Sequence, residues 1–537
     1  MRQFSTPTIA PAWPRILLAF GLIFAAALQA SWSTLDRYFI SDDFAYVGRF
    51  YHLSLREWPA LFVNDWSGGI WGSTLPELRP FAALTFLVDA HFWGANPLGY
   101  HLTNFALDAA CACLVGLIVW RLHAAPLWLS CAAGILFAWH PAHAEPVAWI
   151  TGRVDLLGTL AYLVGFYSAG RFLQNSGRPL WLAVAWLAYF IGCFSKEFCL
   201  TLPIALMLWA LIFPALLGPT RLRQFVVLLS GFLLVAAIFL LCRRLAFGPS
   251  GVGVAALNLL GGEYAERQVD YLRWYFPPLY DLGRDFRPQL VAWASPLVGG
   301  LLCAVLVALG VWRRRNPESN RWRAITFYGL AWYAIATLPL AVATYFAPRH
   351  LYLATAGLCI GVGLLLSTIA ARRWWAYGIV VVAALFCVSR FNHAVAPWRH
   401  AAKLSERVSV EIARTLPDMR PREILLLDVP EVYAGVWMWS WSTPFALQPP
   451  FMPPIANAVL TRPANYYAPQ FWAQQPALGA LSGASGAVLI SADDRGVVTP
   501  RRIEQSRLQP AATRLQLAAA TNPDLAWKTF LRALHSP

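Results

Sequence analysis

Long apolar segments recur along most of this chain, and they constrain its fold more than any other feature. Spanning the hydrocarbon core of a bilayer takes about 20 predominantly apolar residues, and about eleven windows approach this length. Of the 537 residues, 58% are hydrophobic and 13% are charged, a composition outside that of soluble domains. The sequence predicts an all-α polytopic membrane protein with spans near 14–33, 100–120, 126–140, 156–173, 180–195, 198–217, 225–242, 291–312, 324–346, 351–370 and 374–391.

The basic residues in the short connections predict the orientation of these spans, because Lys and Arg are retained on the cytoplasmic side. With the N-terminus in the cytoplasm, the inner connections contain one acid, Glu318, and these basic residues: Arg121, Arg171, Arg178, Arg221, Arg223, Arg313, Arg314, Arg315, Arg321, Arg323, Arg372 and Arg373. The outer face then holds 34–99, 140–155, 195–197, 243–290 and everything after about 392. Much of the net charge of +15 therefore comes from basic residues of the inner connections, which set the topology and contact anionic lipid. The charge does not indicate nucleic-acid binding.

An alternative exists for the first apolar segment. Arg2 and Arg15 precede an apolar run that ends at Leu28-Gln29-Ala30, a pattern that also occurs in cleaved signal peptides. Either interpretation leaves the following loop on the outer face.

The domain organisation follows from the same pattern. Residues 1–392 form the predicted transmembrane domain, whose outer loops 34–99 and 243–290 each contain an amphipathic stretch, at 79–93 and 259–276, typical of a helix lying in the membrane interface. Residues 393–537 differ from the rest. They combine an amphipathic helix over Trp398–Leu416 with two apolar strand patterns, Glu423–Val429 and Gly486–Ser491, which predicts a small α/β extracytoplasmic domain.

Asp42 and Asp43 stand together about ten residues after the first apolar segment. Such a pair on the aqueous face can act as a general base toward an acceptor hydroxyl or form part of a cation site. The alternative is structural, a solvated loop carboxylate or a cap for the helix that begins near Phe44.

The connection between two spans at 140–155 concentrates charged and imidazole side chains: His140, His143, Glu145, Arg153 and Asp155. These side chains could ligate a divalent metal ion, but their spacing matches no specific metal motif. A hydrogen-bonded loop is the alternative, and the sequence leaves any requirement for a metal open.

Basic residues also lie at the outer ends of spans, against the topological bias. These are Lys196 beside Glu197, the Arg243-Arg244 pair, and Arg349-His350. Phosphate is a natural partner, since Arg binds it through two hydrogen bonds and Lys as a point charge. For Arg243 and Arg244, reaching to lipid headgroups is an equally good explanation.

Several short motifs occur in the order and spacing of a known family: Arg79-Pro80 with Leu84-Thr85-Phe86, Asn96-Pro97, Tyr100-His101-Leu102 with Asn104, the segment from His140 to Leu157, Ser195-Lys196-Glu197, and Arg349 with Leu351-Tyr352-Leu353 and Ala356-Gly357. Over about residues 15–370 the chain resembles the membrane core of the transmembrane and tetratricopeptide-repeat O-mannosyltransferases. That family belongs to the GT-C glycosyltransferases.

The resemblance implies a multi-span core, an acidic motif in the first outer loop and a polyprenyl-phosphate-linked sugar as donor. Asp42 and Asp43 match the acidic motif, and the first would be the catalytic base. The expected donor-phosphate residues are Arg349, Lys196, Arg153 and His350. The residues expected to line the acceptor side and its loops are His140, His143, Glu145, Asp155, Glu197 and Arg79.

The predicted function is an integral-membrane glycosyltransferase that moves a sugar, hexosyl or mannosyl, from the lipid-linked donor to an acceptor hydroxyl on the extracytoplasmic face, with inversion. In a bacterium this would be the periplasmic face of the inner membrane. The C-terminus lacks tetratricopeptide repeats, which leaves the acceptor open among glycan, lipid and protein. Alternatives are a flippase or transporter, or a polymerase or ligase, of lipid-linked cell-surface glycans.

Overall fold

The computed structural model describes residues 13–535 except 71–75, 175–176, 214–218, 249–261, 276–319, 343–345, 370–374, 440–441, 464–475, 494 and 519–521. The chain divides into two compact units. The membrane unit comprises Met1–Ser33, Leu55–Thr85 and His101–Val395, and the C-terminal unit comprises Thr34–Ser54, Phe86–Tyr100 and Ala396–Pro537.

The α-helices in chain order are α1 (Trp13–Trp32), α2 (Asp42–His52), α3 (Pro80–Trp93), α4 (Pro97–Arg121), α5 (Leu127–Ala138), α6 (Ala144–Ala148), α7 (Arg153–Gln174), α8 (Pro179–Cys193), α9 (Leu202–Ile212), α10 (Pro219–Phe247), α11 (Gly262–Tyr275), α12 (Asn320–Thr326), α13 (Trp332–Thr337), α14 (Tyr352–Ile369), α15 (Trp375–Thr415), α16 (Thr443–Ala446), α17 (Pro476–Ala480), α18 (Gln505–Ala518) and α19 (Pro523–His535). Short 3-10 turns at Pro141–His143, Ile150–Gly152, Glu197–Thr201 and Pro348–Leu351 connect several of them.

Six helical stretches among the described residues are long and apolar enough to cross a membrane: Trp13–Trp32, Pro97–Arg121, Ile150–Gln174, Arg221–Phe247, Pro348–Ser367 and Tyr377–Asp418. Each coincides with a window predicted from the sequence. Three shorter apolar helices, Leu127–Ala138, Pro179–Cys193 and Glu197–Ile212, occupy three further windows. The chain is an integral membrane protein with a mostly helical core.

The predicted total of about eleven spans is not confirmed. The window 291–312 lies outside the described residues. The window 324–346 is broken, because α12 is followed by a π-helical turn at Phe327–Ala331, then by α13 and a 3-10 turn at Leu338–Val342. The number of spans stays a prediction.

Close helix packing in the membrane unit depends on two glycines where α1, α4 and α5 meet. A Cβ atom at Gly116 would lie 2.9 Å from the Ser130 carbonyl oxygen, and one at Gly134 would lie 2.7 Å from Cδ1 of Ile23. Small residues allow such approach inside a bilayer, where the lipid tails are as apolar as the side chains and packing drives association.

Helices are present where the interfacial elements are expected. The stretch 79–93 forms α3, and the stretch 259–276 contains α11, both as helices. Their location at the membrane surface remains a prediction.

The predicted span at 374–391 and the predicted amphipathic helix from Trp398 form one continuous helix, α15, with Pro397 in its interior. Proline removes one intrahelical hydrogen bond and usually ends or kinks a helix. The helical prediction is confirmed for both segments, but the helix does not stop between them.

The C-terminal unit contains a four-stranded sheet in the order β4-β1-β5-β6. Its strands are β1 (Glu423–Asp428), β4 (Val459–Thr461), β5 (Gly486–Ala492) and β6 (Val498–Glu504), and a separate two-stranded ribbon joins β2 (Val432–Tyr433) to β3 (Val436–Trp437). Strand β1 pairs in parallel with β4 and β5, whereas β6 is antiparallel to β5. Both strands predicted from the sequence are confirmed.

The core of this sheet explains why those two strands were visible as apolar runs. Leu426 lies opposite Leu460 on one neighbour and Leu489 on the other, and these side chains pack with Trp527 and Phe530 of α19 in one buried cluster. Because a parallel strand is buried on both faces, its sequence lacks the polar alternation of a surface strand.

Candidate functional site

The acidic pair begins helix α2 in the C-terminal unit. Ser41, just before the helix, has φ of 49°, a value uncommon for residues other than glycine and a sign of local strain. Its hydroxyl donates to Oδ1 of Asp42 at 3.1 Å, and the Ile40 backbone N–H donates to Oδ2 of Asp43 at 3.2 Å. Both carboxylates lie in the first turn, where the helix dipole favours negative charge.

The two carboxylates differ in exposure. Asp43 is 1% exposed, whereas Asp42 is half-buried. Asp42 is therefore the more accessible of the two to solvent.

Residues far along the chain hold this turn in place. The Ser41 backbone N–H donates to the Met438 carbonyl at 2.7 Å, and the Ser405 hydroxyl donates to the Phe39 carbonyl at 2.6 Å. The Phe44 ring packs edge-on against Trp439, with ring centroids 5.5 Å apart. The strained turn is thus fixed from several sides, the condition under which a strained backbone persists.

The membrane unit brings together four of the predicted side chains in a buried ionic cluster. Arg349 binds Glu145 through its guanidinium and, at 3.1 Å, through its backbone N–H. The Arg349 Nε atom lies 3.9 Å from Oδ2 of Asp155, and Nζ of Lys196 lies 3.4 Å from Oδ1. Asp155 is therefore shared by both cations. We call Arg349, Lys196, Glu145 and Asp155 the ionic cluster.

Short turns between helices position two members of the ionic cluster. Glu145 is in the first turn of α6, which follows the 3-10 turn Pro141–His143. Arg349 lies in the turn that leads into α14, and its guanidinium is 5.0 Å from the ring centroid of Trp149. The aromatic face adds a cation–π contact to the ionic pairing.

Asp155 and Lys196 are positioned by α7 and by the end of α8. Asp155 lies in the first turn of α7, where the helix dipole favours a carboxylate. A Cβ atom at Gly158, one turn later, would lie 2.8 Å from Cβ of Lys196 and 3.0 Å from the Phe198 ring. Glycine at this point therefore lets the Lys196 stem approach α7.

The electrostatics of the ionic cluster are balanced, since two cations face two carboxylates. Burial is the largest influence on the Lys196 ammonium and lowers its pKa, while the neighbouring Asp155 carboxylate opposes that shift. The Asp155 side chain is 2% exposed, and its Oδ2 atom has no hydrogen-bond partner among the described residues. A neutral cluster attracts a phosphate only if a cation is partly released from its carboxylate.

Arg79 forms a second ionic group in the membrane unit. It lies 2.9 Å from Glu77 and 3.1 Å from Glu197, and its guanidinium is 5.6 Å from the Trp66 ring centroid. The Trp66 indole N–H donates to Glu77 at 2.8 Å. One cation is shared by two carboxylates here, so this group has no cationic excess of its own.

Arg153 points into the interior and is 0% exposed. Its Nε donates to the Asn104 side chain at 2.8 Å, and the Asn104 amide donates at 3.2 Å to the carbonyls of Trp149 and Ile150. In this arrangement Arg153 fixes the loop before α7. Direct contact of Arg153 with a donor phosphate stays a prediction.

The three predicted histidines are held by separate partners. His140 accepts the Ala142 N–H at Nδ1, so Nε2 carries the proton and faces the Tyr275 carbonyl at 3.2 Å. Burial lowers the pKa of His140 to about 4 and that of His143 well below its ordinary value. Nε2 of His143 lies 2.7 Å from the Thr355 hydroxyl, and Nδ1 of His350 lies 2.8 Å from the hydroxyl of Tyr271.

Metal binding receives no geometric support from the part of the chain that the structure describes. Within it, no three His, Cys, Asp or Glu side chains are grouped as metal ligands. Several side chains of the 140–155 connection, among them Glu145 and Arg153, take part in hydrogen bonds and ion pairs, and a requirement for a metal stays open.

Sequence reasoning missed Asp108, a fully buried acid in the apolar helix α4 that accepts a hydrogen bond from the Tyr352 hydroxyl at 2.5 Å. A signal was present, because an ionisable residue inside a transmembrane segment indicates a specific role.

The sequence was compared with known proteins to test its resemblance to the O-mannosyltransferases. The chain matches no protein-family model. It is 28% identical over 297 residues to protein O-mannosyl-transferase Tmtc2 of Drosophila melanogaster, and 37% identical over 118 residues to protein O-mannosyl-transferase Tmtc1 of the same organism. These matches confirm the resemblance to the O-mannosyltransferases.

The matched regions are partial. They cover 51% and 22% of this chain and 29% and 13% of the two relatives, so the chain spans less than a third of the relatives' length. Among solved structures, an oligosaccharyltransferase of Archaeoglobus fulgidus has a TM-score of 0.47 at 12% sequence identity, covering 89% of this chain and 68% of that chain.

Proposed function

We propose that the chain is a membrane glycosyltransferase that moves a sugar from a polyprenyl-phosphate-linked donor to an acceptor hydroxyl on the extracytoplasmic face. The observation that carries the proposal is the ionic cluster, in which Asp155 holds two cations within 3.9 Å. A phosphate that replaces a carboxylate there would meet Arg and Lys together, a strong combination for phosphate. The relatives are named O-mannosyl-transferases, which makes mannose the first sugar to test.

The proposed reaction is a single displacement. The acceptor oxygen forms a bond to the anomeric carbon of the sugar while the bond from that carbon to the phosphate oxygen breaks. The acceptor proton passes to an Asp carboxylate, and the electron pair of the broken bond leaves with the polyprenyl phosphate. Configuration at the anomeric carbon inverts because one displacement occurs.

Asp42 is the proposed base, with Asp43 as the alternative. Asp42 is half-buried and lies on a strained turn, and strain that the surrounding structure maintains is common at functional sites. Asp43 is buried and accepts a backbone N–H, which suits a supporting role.

Arg349 and Lys196 are the proposed partners of the donor phosphate. Fixed cations stabilise charge that develops on a leaving group, and the effect is larger where water is excluded. A phosphate leaves as an anion, so no acid is needed to protonate it. His350 and Arg153 would contribute by fixing the surrounding loops, and the remaining predicted residues, His140, His143, Glu145, Asp155, Glu197 and Arg79, would shape the acceptor side and hold the cations.

The proposed orientation places the N-terminus in the cytoplasm and the C-terminal unit outside. The bias of basic residues supports it, since Arg121, Arg171 and Arg178 flank connections on one side and such residues stay cytoplasmic.

A transfer assay tests the proposal. Membranes containing the protein would receive radiolabelled polyprenyl-phosphate sugars, mannose first, with glycan, lipid and peptide acceptors. We expect Asp42→Asn to lower the transfer rate by about 10²- to 10⁴-fold, because a positioned base contributes that much. Asp36→Asn is the matched control, since Asp36 lies on the same loop with its side chain 74% exposed beside Arg37.

Wild-type rates in both the Asp42→Asn and the Asp43→Asn variants would refute the proposed base. Label that crosses the membrane without transfer would instead identify a flippase.

A further inference from the structure

Asp108 is a buried acid inside an apolar helix of the membrane unit. It lies near the middle of α4, which spans Pro97–Arg121, and it is 0% exposed. Its Oδ1 atom accepts the Tyr352 hydroxyl at 2.5 Å, and its Oδ2 atom has no hydrogen-bond partner among the described residues. The carboxyl is thus held through one oxygen.

Stability alone is a poor explanation for this pair. A carboxyl among apolar helices is costly unless its hydrogen-bonding capacity is filled. Replacing buried polar pairs by apolar side chains of similar size is often neutral or stabilising. An incompletely bonded acid at this position therefore indicates a role other than holding helices together.

Tyr352 connects Asp108 to the ionic cluster. It is the first residue of α14 and follows Arg349 by three positions, at the end of the turn Pro348–Leu351. Its ring lies 4.3 Å from the His143 ring and 5.2 Å from the Phe137 ring, measured between centroids. The Tyr352 side chain is therefore enclosed, and its hydroxyl oxygen is fixed by Asp108.

Helix α4 also holds the opposite side of the ionic cluster. Asn104, one turn before Asp108, bonds Arg153 and the carbonyl of Trp149, whose ring lies against Arg349. Residues four apart share one face of a helix. One face of α4 thus fixes both the aromatic platform beneath the Arg349 guanidinium and the turn that carries Arg349.

We propose that the hydrogen bond between Asp108 and Tyr352 is a positioning contact that sets Arg349 for the phosphate of the lipid-linked donor. This inference rests on the proposed function. Asp108 acts through Tyr352 and touches no substrate, so its loss should affect donor binding more than the chemical step.

The test compares two buried tyrosines. Tyr352→Phe removes the hydroxyl that meets Asp108, whereas the control Tyr162→Phe removes a hydroxyl that lies 3.4 Å from Thr201. Donor KM, kcat and binding of polyprenyl phosphate would be measured for both. Since small displacements of a binding group are costly, we expect Tyr352→Phe to raise the donor KM about tenfold and to change kcat by less than about twofold.

A double variant separates positioning from folding. Asp108→Leu combined with Tyr352→Phe leaves no unsatisfied carboxyl, so its thermal unfolding midpoint should approach that of the wild type. We expect its donor KM to stay raised, because the contact that sets Arg349 is still missing.

Two results would overturn the inference while the proposed function stands. One is an equal donor KM in the Tyr352→Phe and Tyr162→Phe variants, and the other is a double variant that regains both stability and donor KM. A wild-type protein that neither transfers sugar nor binds polyprenyl phosphate would refute the proposed function, and the inference with it.

Discussion

Two groups of acids in this protein lie in different surroundings. In the membrane unit, Glu145 and Asp155 lie beside Arg349 and Lys196 in a balanced ionic cluster. In the C-terminal unit, Asp42 and Asp43 accept hydrogen bonds from a neutral hydroxyl and a backbone N–H at the start of a helix.

The difference shows where cations are concentrated. Arg349 and Lys196 both lie beside Asp155, so a phosphate bound there would meet two fixed cations. Asp42 is half-buried and lies on a strained turn, a kind of backbone that is common at functional sites. We therefore expect phosphate binding at the ionic cluster and proton transfer at the acidic turn, as proposed above.

Breaking the ionic cluster should have the largest effect on folding. Arg349→Ala leaves Glu145 buried without its cation, so we expect the free energy of unfolding to fall by about 3 to 5 kcal/mol. Denaturation of the detergent-solubilised protein measures this change. Adding Glu145→Ala should restore part of the loss.

Lys528→Ala is the matched control for that experiment, because Lys528 forms an exposed pair with Asp524 in the C-terminal unit. Such surface pairs contribute about 0 to 1 kcal/mol. If Arg349→Ala lowered the free energy of unfolding as little as Lys528→Ala does, the expected difference between a buried ion pair and an exposed one would be wrong.

The next prediction concerns how stability depends on pH. Burial in the membrane unit favours the neutral form of His140. Its pKa is lowered from 6.5 to about 4, so the unfolded state binds the proton more readily than the folded state. Stability from His140 is complete above about pH 6.5 and is lost as the pH falls toward 4, by up to about 3 kcal/mol.

Thermal unfolding midpoints of the wild type and of His140→Gln between pH 7 and pH 4 test this expectation. The variant should lose less stability than the wild type over that range. His91→Gln, which changes an exposed ring, should parallel the wild type. If the unfolding midpoint of His140→Gln also fell in parallel with that of the wild type, burial of His140 would not be the cause of the pH dependence.

The smallest expected effect concerns the strain of the acidic turn. Ser41→Gly should raise the free energy of unfolding by about 0.5 to 1 kcal/mol, since glycine adopts positive φ without strain but adds freedom to the unfolded chain. Sugar transfer should fall by a few fold, because Asp42 loses the Ser41 hydroxyl.

Ala124→Gly provides the comparison for that variant. Ala124 has φ of 51° and has no acidic neighbour in sequence, so its replacement should stabilise the protein without changing transfer. If Ser41→Gly and Ala124→Gly transferred sugar at the same rate, the strain at Ser41 would not be needed for function.

Hydropathy was sufficient to locate the six long apolar helices among the described residues, because one physical requirement, burial of the backbone in hydrocarbon, sets the length and composition of a span. It did not show that the span at 374–391 and the amphipathic helix from Trp398 form one helix, α15, which continues through Pro397. The strands at Glu423 and Gly486 were predictable because burial on both faces makes them uniformly apolar. The parallel pairing of β1 with β4 and β5 was not, since register depends on distant partners.

The candidate site was only partly predictable for the same reason. Arg349 and Glu145 are separated by 204 residues, and no local pattern shows that they meet. Their selection came from unusual charge on the predicted outer face and from the family resemblance. Asp108 was overlooked because one acid hardly changes the mean hydropathy of a 25-residue helix.

The distance along the chain between Asp108 and Tyr352 has a consequence for biosynthesis. The two residues are 244 positions apart, and ribosomes add about 5 to 20 residues per second, so roughly 12 to 50 s pass between their appearance. During that interval α4 has to enter the bilayer with an acid near its middle and no tyrosine to bond it, which is unfavourable for insertion. Retention of α4 beside the translocon until α14 emerges would resolve this problem. Asp108 would then help to determine the order in which the helices are released from the translocon into the bilayer.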